Sequence, residues 1–244
     1  MEKIEQETQV SSPEKRGDSF SKMFFFGLPF AVPVVVTIGT YLCYPFCPKI
    51  LIWLPLLAIY WGTIWAFTLI YYHRRGGVFS KERFKPTLKL QGMHLWLQYL
   101  LVYGPLAYSI PLFLINYAAH LSAAMYGAIL LAAAINGPSE EVFWRACLED
   151  AGTNAGVSKK NRLIFAPVAF ALWHTAFVIH LFPWDPYWLG AWAGVMLITW
   201  SSGLIWLWVM QTSGRLVPQV VYHACANFLN IFPMFLVTVL HLYF

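Results

Sequence analysis

The chain has 244 residues, of which 59% are hydrophobic, 18% aromatic and only 11% charged, whereas a soluble protein carries about 25% charged residues. That leaves too little polar surface to coat a water-soluble globule and too much apolar mass for a disordered chain, so the sequence belongs in a bilayer. Four cysteines exclude a disulfide scaffold, and the net charge of +5, located at membrane borders, argues against nucleic acid as a partner.

Residues 1–22, rich in Glu, Lys, Gln and Ser and without an apolar run, read as a disordered, solvated cytoplasmic tail that is not a secretory signal. From 23 to 244 the chain reads as one membrane domain. Stretches of about 20 apolar residues place predicted transmembrane helices at 23–42, 51–72, 93–115, 123–147, 163–181, 188–210 and 217–243. The last is long for one crossing, and Pro233 is expected to divide it. The fold class is therefore all-α, a polytopic membrane bundle of seven to eight transmembrane helices. Pro29, Pro33, Pro105 and Pro111 fall inside other segments, where neighbouring helices satisfy the freed carbonyls.

Charge sets the orientation. With the amino terminus cytoplasmic, Lys3, Lys15, Arg16, Lys22, the loop basics Arg74 to Lys89, then Arg145, Lys159, Lys160, Arg162 and Arg215 all lie inside. Only Lys49 falls outside, a strong positive-inside bias. Topogenesis accounts for these charges better than a basic binding site does, although the 73–92 loop also suits anionic lipid headgroups.

Nine of the eleven acids lie in the tail or the expected loops. The other two, Glu140 and Glu141, are adjacent on the predicted fourth helix, where an ionisable group costs about 2.5 to 3.5 kcal/mol near the bilayer centre. Such a group is a functional candidate by default, with structural ion pairing as the bland alternative. Successive helical residues turn about 100° apart, so the two carboxylates are expected to face different ways. Glu141 and Arg145, at i and i+4, share a face and are expected to pair. Glu140 has no local cation, and Trp144, one turn on, is expected to desolvate it, which makes a carboxylate a better base.

His73, His94, His120, His180 and His241 fall near helix ends or loops and are assigned to anchoring. His174 and His223 lie well inside apolar segments, and Asn227 follows His223 at i+4 on the same face. A lone buried histidine is usually a satisfied core residue. Two of them with an Asn and a Glu on three helices shift the balance towards a site. Counting from the nearest cytoplasmic charge at about 1.5 Å per residue puts Glu140, His174 and His223 at depths of roughly 12 to 18 Å. They are expected to converge on one cavity that opens towards the cytosol.

A carboxylate beside an imidazole takes a proton from water, while an imidazole N–H and an amide NH2 donate to a developing oxyanion. That is equipment for amide hydrolysis. No GxSxG elbow or HExxH zinc signature is present. Cys147 and Cys225 read as small packing residues. Cys43 and Cys47 are close enough in sequence for a disulfide in an oxidising compartment.

Glu140-Glu141-Val-Phe-Trp-Arg145 matches EExxxR, Phe170-Ala-Leu-Trp-His174 matches FxxxH, and His223-Ala-Cys-Ala-Asn227 matches HxxxN. In that order on successive apolar helices, they resemble the signature of the CPBP (ABI, or type II CaaX prenyl endopeptidase) family of intramembrane proteases, over about residues 137–230. The resemblance implies an eight-helix bundle with a conical cavity reached from cytosol and lipid. It implies that Glu140 and His174 activate water, that His223 and Asn227 form the oxyanion hole, and that Glu141, Arg145 and Phe170 support them. Zinc held by Glu140, His174 and His223 is the alternative; a glutamate-dependent site without cofactor is preferred.

In that family, eukaryotic and some archaeal members remove the aaX tripeptide after a prenylated cysteine, whereas bacterial members are linked to peptide maturation, bacteriocin self-protection or regulation of membrane proteins. The expected partners are lipid and a prenylated or membrane-associated peptide. The expected location is the plasma membrane in a prokaryote and the endoplasmic reticulum in a eukaryote. Two other function classes compete with the protease: a non-catalytic membrane scaffold, and a proton-coupled transporter using Glu140, which the absence of visible inverted repeats disfavours.

Overall fold

Asp18 starts the first helix. Its carboxylate accepts from the backbone N–H of Phe20 at 3.3 Å, from that of Ser21 at 3.1 Å, and from the Ser21 hydroxyl at 2.7 Å, satisfying donors that a helix leaves unpaired at its N-terminus. Helix α1 therefore spans Ser19–Cys43. Residues 19–22, expected to be disordered, are its first turn. The computed structural model describes residues 18–48, 51–75, 83–181, 188–233 and 236, and the remainder of the expected tail lies outside them.

Helix α2 spans Trp53–Arg75 and α3 spans Leu95–Asn116. Helix α4, Ala123–Glu140, begins where the Ser122 hydroxyl accepts from the Met125 N–H at 3.3 Å. It continues without a break through a π-helical stretch, Glu141–Cys147, into α5, Leu148–Asn154. Helices α6, Lys159–Leu181, α7, Trp188–Ser213, and α8, Val217–Ala226, follow, and a second π-helical stretch, Asn227–Ile231, extends α8. With α4 to α5 as one rod, the described residues form seven helical rods and no strand. Five of them, α1, α2, α3, α6 and α7, are long and apolar enough to cross a membrane.

The predicted spans agree with these helices to within a few residues at most ends. The last helix changes geometry at Asn227, and most of 234–244, on which the expected division at Pro233 bears, lies outside the described residues. Glu149 and Asp150, expected in a loop, are on α5. Gly156 at φ 75° and Gly214 at φ 66° follow α5 and α7, in the left-handed conformation that glycine adopts without steric cost at a helix end.

The α4–α5 rod is the axis of the bundle. Every residue from Glu141 to Cys147 is buried. Helices α2 and α8 flank α4, α6 packs against the π-helical stretch, α1 closes over α2 and α6, and α3 covers α8. The core is largely aromatic: Phe143, Trp144 and Phe170 pack edge to face, and Tyr60 stacks on Trp173 with ring centroids 3.6 Å apart. On the outer faces Phe26, Ile38, Leu69, Leu100, Leu114 and Leu197 stand exposed, which suits contact with lipid chains and not with water.

Ion pairs tie one end of the bundle. Arg83 meets Asp150 at 2.6 Å, Arg162 meets Glu149 at 2.9 Å and Arg75 meets Asp18 at 3.0 Å. Gln211 also donates to Glu149 at 3.0 Å, and the Leu216 N–H donates to the Arg83 carbonyl at 3.0 Å. The segment before α3 is thereby fastened across the ends of α5 and α7. All four cysteines are free thiols, Cys43 and Cys47 included.

Candidate active site

Both π-helical stretches begin at a residue singled out by sequence, Glu141 and Asn227. In such a stretch the backbone bonds run from i to i+5: the Leu148 N–H reaches the Phe143 carbonyl, and the Phe232 N–H reaches the Asn227 carbonyl. The wider turn changes the phase of the side chains that follow it, and turns of this kind are common at functional sites.

One expectation is amended. Glu140 and Glu141 leave the helix one ordinary αR step apart, yet both carboxylates reach His223 on α8, one at each ring nitrogen. His223 Nε2 lies 3.1 Å from Glu140 Oε2, and Nδ1 lies 2.8 Å from Glu141 Oε1. The partner that α4 does not offer Glu140 is thus supplied by another helix. Close approach of the two helices permits it: a Cβ on Gly137 would stand 2.8 Å from the Ala224 backbone nitrogen, so glycine lets α4 and α8 nearly touch one turn before Glu140.

Glu141 also meets Arg145, with Nε 3.5 Å from Oε2. Both side chains are fully buried. The Arg145 guanidinium carbon lies 4.0 Å from the centre of the Phe170 ring and 5.2 Å from that of Trp206, so the cation rests on aromatic faces, where the ring quadrupoles attract it. Phe170 has a second contact with the site, because its backbone carbonyl lies 3.0 Å from His174 Nδ1. A carbonyl only accepts, so Nδ1 carries the hydrogen and, in the neutral ring, Nε2 is left as an acceptor.

Glu140, His174, His223 and Asn227 line one cavity of about 190 Å³, together with Asn136, Thr199 and apolar walls that include Leu57, Trp173, Phe177, Ile198 and Phe232. The space suffices for several waters at about 30 Å³ each. The Asn227 amide nitrogen is buried and has no hydrogen-bond partner among the described residues, a donor available to something that enters. The Glu140 carboxylate is fixed at both oxygens: Tyr60 donates to Oε1 at 2.7 Å while His223 faces Oε2. Among the described residues, no group of three or more His, Cys, Asp or Glu is arranged to hold a metal ion.

The other histidines stand apart. His180 lies 2.5 Å from the Tyr44 hydroxyl and 3.1 Å from the Thr37 carbonyl, tying α6 to the end of α1. His241 lies outside the described residues. Sequence reasoning missed Tyr60 and Asn136. Asn136 precedes Glu140 at i and i+4, and that spacing could have found it. Its carbonyl oxygen accepts from the Trp61 indole N–H at 2.8 Å, leaving its NH2 group as a donor. Tyr60 gives no spacing signal, since its partner Glu140 is 80 residues distant.

Residues 122–229, from the cap of α4 to the second π-helical stretch, match the family described as Rce1-like, Type II CAAX prenyl endopeptidase Rce1-like. No curated protein and no solved structure matches the chain. The family match supports a protease activity of the CAAX prenyl endopeptidase type, exercised by an integral membrane protein in a lipid environment. Through the segment that carries all of its candidate site residues, the chain is similar to the Rce1-like family of type II CAAX prenyl endopeptidases.

Proposed function

We propose that the chain hydrolyses a peptide bond within the membrane and releases the C-terminal tripeptide of prenylated CaaX proteins. One observation carries the reading: an acid, two imidazoles and an amide unpartnered among the described residues line a single, mainly apolar cavity. Glu140 and the free Nε2 of His174 take the proton of a water whose oxygen attacks the scissile carbonyl. The developing oxyanion accepts from the Asn227 NH2 and from the Nε2–H of His223. The two steps are linked, because a proton arriving on Glu140 cancels the charge that holds His223 Nε2 and releases that N–H towards the oxyanion. The proton then passes to the departing amine as the C–N bond breaks. Glu141 and Arg145 orient His223 from behind.

In this reading no metal takes part, the amino terminus is cytoplasmic and the cavity opens to the cytosol. The ion-paired end of the bundle, with Arg75, Arg83 and Arg162, supports that orientation. The host would set the membrane: plasma membrane in a prokaryote, endoplasmic reticulum in a eukaryote. Purified protein in detergent, offered farnesylated CaaX peptides and a panel of unprenylated membrane peptides, is expected to cleave the prenylated set. Glu140→Gln and His174→Ala are expected to abolish turnover while the chain stays folded, and chelation is expected to leave turnover intact. Activity unaffected by both substitutions overturns the mechanism and favours a scaffold role for these motifs. Stoichiometric zinc, with activity lost to chelator and restored by zinc, overturns the metal-free site.

A further inference from the structure

We infer that Tyr60 on α2 is a positioning residue for this hydrolysis, acting on Glu140; the inference rests on the role proposed above for that carboxylate. Tyr60 lies outside the segment that matches the family. It is fully buried, yet its hydroxyl is doubly engaged: it donates to Glu140 Oε1 at 2.7 Å and accepts from the Trp144 indole N–H at 2.8 Å. Trp144 is an N–H donor only, and a carboxylate is an acceptor only, so the hydroxyl hydrogen has a single direction. Tyr60 must point it at Glu140.

The same ring stacks on Trp173 at 3.6 Å, tilted only 9°, and Trp173 packs against His174 at 4.4 Å. One side chain therefore registers both members of the water-activating pair: Glu140 through its hydroxyl and His174 through its stacked neighbour. With His223 on Oε2 and Tyr60 on Oε1, the carboxylate is fixed about its terminal torsion, which is otherwise broad and roughly two-fold. The remaining lone pairs are then held in constant relation to the cavity. Neighbouring α2 residues repeat the device: Trp61 donates to Asn136 at 2.8 Å, and Trp65 donates to Ser139 at 2.9 Å. Helix α2 thus presents a set of aromatic donors to the polar residues of α4, and Tyr60 is the member that reaches the reacting carboxylate.

Tyr60→Phe keeps the ring and its stack on Trp173 and removes only the hydroxyl. Measured on the full chain with a farnesylated CaaX peptide, the substitution is expected to lower kcat by up to about 10²-fold, the scale of a small misplacement, with KM unchanged. Trp144→Phe, which frees the Tyr60 hydroxyl to turn, is expected to lower kcat less. The double variant is expected to be no worse than Tyr60→Phe alone. A kcat within twofold of the parent for Tyr60→Phe, or losses that multiply in the double variant, overturns the inference.

A second measurement needs no turnover. A thermal-unfolding double-mutant cycle of Tyr60→Phe with Glu140→Leu, which leaves no acceptor for the hydroxyl, reads the coupling of the pair directly. Clear coupling is expected; independent effects contradict the contact and with it the positioning role. A parent chain that cleaves nothing, in the presence of that coupling, counts against the proposed function and not against the pair.

Discussion

Glu141 and His223 meet at 2.8 Å through Oε1 and Nδ1, from helices whose sequences are 82 residues apart. Glu141 is shared between His223 and Arg145, and both it and Arg145 are sealed from solvent. Removing one partner of a buried pair strands the other, at a cost of about 3 to 5 kcal/mol. Glu141→Gln is therefore expected to lower the melting temperature sharply as well as the activity. Adding Arg145→Met, which removes the stranded cation, is expected to recover most of the thermal loss but not the turnover. Thermal shift in detergent, read beside peptide cleavage, checks both.

Asn227 separates activity from stability in the opposite sense. Its amide nitrogen is buried without a partner among the described residues, so the fold gains little from it. Asn227→Ala is expected to keep the melting temperature within a few degrees while kcat falls about 10²- to 10³-fold, the usual loss for one oxyanion donor. A stability loss without a catalytic one would contradict the assignment.

Gly137 tests the helix contact that brings the acid to the imidazole. A methyl group there would press on the Ala224 backbone nitrogen at 2.8 Å, and backbone cannot yield as a flexible side chain does. Gly137→Ala is expected to cost about 1 to 3 kcal/mol through overpacking and to suppress cleavage by separating Glu140 from His223. Gly62→Ala is the control, because a Cβ there meets nothing within 4 Å.

Asp18 supplies a pH-dependent element outside the membrane spans. The Ser21 hydroxyl, chiefly, holds its carboxyl below the ordinary value of 3.8, helped by the Ser21 and Phe20 N–H groups and by Arg75. A depressed carboxyl stabilises the fold above its unfolded value and ceases to do so as pH falls through the folded one. Hydrogen-exchange protection of the first turn of α1 is expected to hold at neutral pH and to fall below pH 3.8. Asp18→Ala is expected to show weak protection at every pH.

Much of this architecture was legible in the sequence, because apolar runs of membrane length and a one-sided distribution of Lys and Arg are direct consequences of bilayer physics. The pair Glu141 and Arg145 followed from helical spacing alone. The shared partner of Glu140 and Glu141 did not, since a 100° step describes where side chains leave the backbone and not that one imidazole, 82 residues on, offers a nitrogen to each carboxylate; nothing in EVFWRAC announces a π-helical turn either. Tyr60 and Trp61 were likewise illegible: in an apolar segment they look like any interfacial aromatics, and only tertiary packing pairs them with Glu140 and Asn136. The early start of α1 was available in principle, as Asp18 followed three residues later by Ser21 is a plausible cap.

The most direct test of the account is mass spectrometry of a farnesylated CaaX peptide incubated with the purified chain in ¹⁸O-water. The expected result is a shortened peptide ending at the prenylated cysteine with one ¹⁸O in its new carboxylate, produced by the parent and absent with Glu140→Gln. An uncleaved peptide, or the same labelled product from Glu140→Gln, would contradict it.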